Sequence, residues 1–106
     1  MANTYKNAKA DLSTTAVTTL YTCVATATGI VKSILVSEDS GNADTITVTI
    51  TNGSTVYSLF NVKAVGANAT VELLTAPLVV QPTEVLKVTA ATANRLHVVA
   101  SILEIT

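Results

Sequence analysis

The chain has 106 residues, 49% hydrophobic and only 12% charged, with a formal net charge of −1; an ordinary soluble domain carries about 25% charged residues. Its Lys and Arg residues stand singly at positions 6, 9, 32, 63, 87 and 95 and there is no tryptophan, which excludes the basic, ring-studded stripe that nucleic acid requires. One cysteine, Cys23, excludes an intrachain disulfide, and no apolar run approaches the roughly 18 residues of a membrane-spanning helix.

A chain of this length suits one domain. So little charge leaves Thr, Ser, Asn and Ala to make the exposed strand faces, the composition expected of a surface that other subunits cover. Residues 1–15 are polar and show no period, so they read as an extended N-terminal arm that a partner would order, with the β domain over 16–106. The opening MANTYKNAKADL lacks the apolar centre of a secretory signal. Synthesis and folding are therefore expected in a reducing cytoplasm.

Strands follow at spacings of about ten residues. Residues 16–23, AVTTLYTC, predict the first. GIVKSILVS predicts a mid-sheet strand with Ile30, Ile34 and Val36 on one face and Val31 and Leu35 on the other. The central feature is DTITVTITNGSTVYSLFNV, where Ile46, Val48 and Ile50 alternate with four threonines and Asn52-Gly53 predicts the turn of a β-hairpin. Residues 70–74 give a short strand. Pro77 and Pro82 confine the LVVQ between them to a sheet edge, and a further strand covers 84–90. In the closing RLHVVASILEIT, Leu96, Val98, Ala100 and Ile102 form one row and Val99, Leu103 and Ile105 the other. The sum is an all-β fold, an antiparallel β-sandwich of seven or eight short strands, jelly-roll-like, behind a polar arm.

Chemistry is sparse. His97 is the only histidine, and neither Cys23 nor a serine stands with it in a nucleophile–base–acid order. No enzyme and no cofactor are expected. A closed metal site needs several His or Cys ligands at defined spacing. The acidic loop with Glu38, Asp39, Asn42 and Asp44 is the candidate cation loop, because calcium takes six to eight oxygens; its spacing does not match an EF-hand, and the same residue types serve any tight loop.

Four segments carry a resemblance: NTYKNAKADLSTTAVTTLYTC, GIVKSILVSEDSG, NADTITVTI and LVVQPTEVLKVTAATANRLHVVASILEI. Together they are similar to a group of small virion proteins of tailed bacteriophages, in which a short arm precedes a pattern of the form LYT…A…T.IVKSI.V. The pattern L.V.P.D.L.V.A…L.V..S.LEI closes the chain. This sequence departs at Cys23-Val24, where a small residue and a proline are expected, and at Glu84, where Asp is usual. The resemblance implies a structural protein of the virion, a capsid decoration or cement protein on the outside of the head, made in the host bacterial cytoplasm. Its partners would be the major capsid protein and like subunits, commonly as a homotrimer, with no nucleic acid or membrane partner. Capsid contact is then expected of Tyr5, Lys6, Lys9 and Leu12, by their position in the arm. The alternatives are a tail, baseplate or head-fibre attachment module of the same fold, and a carbohydrate- or ion-binding β-sandwich acting through the Glu38–Asp44 loop.

Overall fold

The computed structural model describes residues 2–106. They form nine strands: β1 Asn3–Leu12, β2 Thr18–Thr22, β3 Thr28–Glu38, β4 Asp44–Asn52, β5 Thr55–Val65, β6 Thr70–Glu72, β7 Leu78–Val80, β8 Val85–Ala90 and β9 Leu96–Ile105. There is no helix among the described residues. The larger sheet runs β1-β9-β3-β6, with β7 also paired to β3, and the smaller runs β2-β8-β4-β5. Every pairing is antiparallel. The sheets are arranged like a sandwich around one core.

The period of two decides what that core contains. Ile46, Val48 and Ile50 of β4 and Leu86, Val88 and Ala90 of β8 point inward from the smaller sheet, and Leu96, Val98, Ala100 and Ile102 of β9 from the larger. The closing strand is apolar on both rows because it lies mid-sheet, between β1 and β3.

Three sequence expectations are corrected. The segment expected as a loose arm is strand β1, paired with β9 over ten residues from Asn3↔Ile105 to Leu12↔Leu96. Its period is hidden because Asn3 to Asn7 are exposed on both faces and the residues that reach the core, Ala8, Ala10 and Leu12, come only in its second half. In β3 the register slips between Val31 and Ser33, leaving Lys32 as the extra residue of a bulge. That puts Val31 on the inner face with Ile34 and Val36, and Ile30 on the outer face. At the hairpin Asn52 pairs with Thr55, so the two-residue loop is Gly53-Ser54. Gly53 has φ +62° and Ser54 does not have positive φ, the pattern of a type II′ turn, so the turn expected at Asn52-Gly53 is centred one residue later.

Candidate interaction surface

Residues facing away from the core on the larger sheet form rows that cross several strands. Tyr5 of β1 pairs with Leu103 of β9, Leu103 with Ile30 of β3, and Ile30 with Val79 of β7. The result is one apolar row across four strands, 76% exposed at Tyr5 and 47% at Val79. The row through Lys9, Val99, Leu35 and Glu72 is mixed, and the row through Asp11, His97, Ser37 and Thr70 is polar. Between the apolar row and the mixed one lies the polar row Asn7–Ser101–Ser33, so the apolar row stands by itself toward one end of the face. Exposed apolar area continuous over several strands is what an interaction surface looks like.

The residues expected to touch a capsid divide. Tyr5 and Lys9 project from the outer face of β1 and are exposed. Lys6 lies on the other side of the strand, where its Nζ is 3.3 Å from Glu104 Oε1. Leu12 is 1% exposed and belongs to the core. An apolar side chain opposite Leu96 is buried by the sheet itself, so Leu12 is a structural residue and the expectation of contact there is corrected.

The acidic loop is likewise built around itself. Glu38 ends β3 facing inward, 2% exposed. Its Oε2 accepts the Ser40 N–H at 2.7 Å and the Ser40 hydroxyl, and its Oε1 accepts the N–H groups of Gly41 at 3.0 Å and Asn68 at 3.1 Å. Burial pushes the carboxyl up, but the bonds from Ser40, Asn68 and Gly41 outweigh it and hold the group at about 2. Asp44 accepts the Thr92 N–H at 3.0 Å, and Asp39 lies 3.4 Å from His97 Nδ1. Asn42 Nδ2 bonds the Ser40 carbonyl. The three carboxylates therefore face different partners, and no cluster of three metal-ligating side chains occurs among the described residues.

His97 lies on the outer face of β9, with Nε2 3.2 Å from Asp11 Oδ1. Cys23 is buried on the inner side, donating its thiol to the Ala27 carbonyl at 3.3 Å. The larger sheet separates the two.

Two carboxylate centres were not foreseen from the sequence. Tyr21 of β2 donates its hydroxyl across the core to Glu104 Oε2 of β9 at 2.6 Å, tying one sheet to the other. Gly29, paired with Glu104, makes this approach possible, since a Cβ there would sit 2.8 Å from the Tyr21 oxygen. The Tyr21 hydrogen bond, with Lys6 assisting against burial, holds the Glu104 carboxyl below its ordinary value. Burial and then the bond to Glu104 push the Tyr21 phenol up. The second centre, Glu72, fills the break between β6 and β7. It accepts from the Ser33 hydroxyl and from the N–H groups of Ile34 at 2.8 Å and Leu74 at 3.2 Å. A signal for Glu104 was present: it continues the inward row Leu96, Val98, Ala100, Ile102, and a carboxylate in such a row requires a buried partner.

Compared with protein-family models, curated proteins and solved structures, the chain matches none.

Proposed function

We propose that the chain is a structural protein of a bacteriophage virion, a decoration protein that acts as a homotrimer on the outside of the head. The reading begins from the sequence resemblance. The strand order β1-β9-β3-β6/β7 against β2-β8-β4-β5 supports it, since reading β6 and β7 as two halves of one edge strand makes the order jelly-roll-like. The observation that carries it is the row Tyr5–Leu103–Ile30–Val79, which a charge-poor monomer would leave in water and a packed neighbour would cover. In this reading the row packs against like subunits and Lys9, at the β1 edge, faces the capsid.

A decoration protein that binds the assembled shell and not its separated subunits stabilises the shell by mass action. Three copies held together bind more tightly than one because the second and third contacts are intramolecular. The test is light scattering of the purified chain, followed by binding to expanded heads assembled without it. A mass near three times 10.9 kDa and saturation at hundreds of copies per head are expected. Tyr5→Asp and Val79→Asp should give folded monomers, and Lys9→Glu a trimer that binds heads more weakly. A monomeric wild-type chain that leaves heads bare would overturn the proposal, and saturation at a few tens of copies would move the chain to the tail.

A further inference from the structure

The smaller sheet carries a different kind of surface. Thr47, Thr49 and Thr51 of β4 face outward in a line, with Thr89 beside Thr47 and Lys87 beside Thr49 on β8, and Val56 of β5 beside Thr51. With Val17 they enclose a cup of about 410 Å³, within the roughly 300–1,000 Å³ of small-molecule sites. Alternate residues on one strand are about 6.8 Å apart and paired residues about 5 Å apart, so the hydroxyls form a grid on the scale of a sugar ring.

The cup's polar groups are mostly unspent. Thr47 accepts the Val62 N–H at 3.1 Å, at a bulge where Val62 takes φ +53°. Thr51 is nine-tenths buried, and its hydroxyl has no hydrogen-bond partner among the described residues. That oxygen is itself covered, so its use by a ligand requires the side chain to turn about χ1. Lys87 has no carboxylate within ion-pair distance among the described residues, and no acidic side chain lines the cavity.

We propose that this cup binds an acidic pyranose, a sugar of the uronate class. Its carboxylate pairs with Lys87, its hydroxyls bond Thr49, Thr51 and Thr89, and its C–H face packs on Val17 and Val56. A lone carboxylate would use Lys87 and leave most of the hydroxyls and both valines without a role. A neutral sugar would leave the ammonium unpaired. The inference does not rest on the decoration reading, since the cup is complete within one chain and faces away from the apolar row.

The probe is galacturonate, titrated into the full isotope-labelled chain and followed by amide chemical shifts, with galactose and acetate as comparators. Shifts confined to residues 17, 47–51, 56 and 87–89, with a Kd of about 1 mM or tighter, are expected. Lys87→Met and Thr51→Val should each weaken binding at least tenfold. Thr51→Val should melt no lower than the wild type, because it replaces an unpartnered hydroxyl with a methyl of the same shape. The monomeric Tyr5→Asp variant should bind as the wild type does. Equal response to galactose or to acetate, shifts elsewhere, an unchanged Kd in Thr51→Val, or no shift at about ten times that Kd would each overturn the assignment.

Discussion

Replacing Tyr21 by Phe removes one oxygen and leaves the ring in place. The phenol donates at 2.6 Å to a Glu104 carboxylate that is 8% exposed, and a hydrogen bond to a charged group contributes about 1.5–3 kcal/mol net. The remaining partner, Lys6, has a side chain 43% exposed and compensates little, as ion pairs near solvent are worth under about 1 kcal/mol. A loss of about 2 kcal/mol at pH 7 is expected, which lowers Tm by about 8 °C in a chain of this size. The pH dependence identifies the cause. Glu104 has a depressed folded-state pKa, so its contribution is present above its ordinary value of 4.5 and is lost as pH falls below it. Tyr21 has a raised one, so its contribution is present below 10.0 and is lost as pH rises beyond. The gap between wild type and Tyr21→Phe is therefore widest between about pH 5 and 10 and narrows on both sides. Urea denaturation at a series of pH values measures it. A gap under about 0.5 kcal/mol, the scatter of an ordinary surface substitution, or one flat from pH 3 to 11, would refute the inter-sheet bond.

Leu12→Ala should cost about 2–5 kcal/mol in the same assay, the range for a buried leucine; a loose arm would make it silent. Glu38→Gln should lower Tm and speed hydrogen exchange at the Ser40, Gly41 and Asn68 amides. In the wild type the stabilisation from Glu38 is full above about pH 4.5 and disappears as pH falls toward 2, so acid melts should separate the two proteins at neutral pH and bring them together near pH 2. Thr83 sits at φ +72° in a turn closed by the Glu84 N–H to the Gln81 carbonyl. Thr83→Gly should raise stability by about 0.5 kcal/mol, relief of a left-handed threonine exceeding the added freedom of the unfolded chain.

What the sequence made legible was whatever alternates. The β4 run Ile46, Val48, Ile50 and the β9 run from Leu96 to Ile102 announce their faces because one residue in two must be apolar when one face is buried. Bulges break that rule without leaving a mark. Nothing in GIVKSILV says that Lys32 is the extra residue, so Ile30 and Val31 exchange faces between expectation and structure. Strand β1 escaped for a related reason: a strand whose first five residues are exposed on both sides has no alternation to display. The acidic loop was legible as a loop but not as a self-contained one, since Asn68, which completes the Glu38 site, lies thirty residues away.

The same physics separates the two outer faces. One row of the larger sheet ends in Tyr5 and Val79, side chains that gain by being covered and need no partner of particular polarity. The smaller sheet sets Thr49, Thr89 and Lys87 beside the exposed Val17 and Val56, and its polar groups stay solvated until a ligand offers them matched polar atoms. Covering the first face favours association through area alone, whereas covering the second with an apolar neighbour would strand an ammonium and several hydroxyls. In the reading proposed above, the subunit contact belongs on the β1-β9-β3 face. A contact there would leave the β4-β8 face open to a small polar molecule, so both proposals can hold for one particle and each can fail without the other.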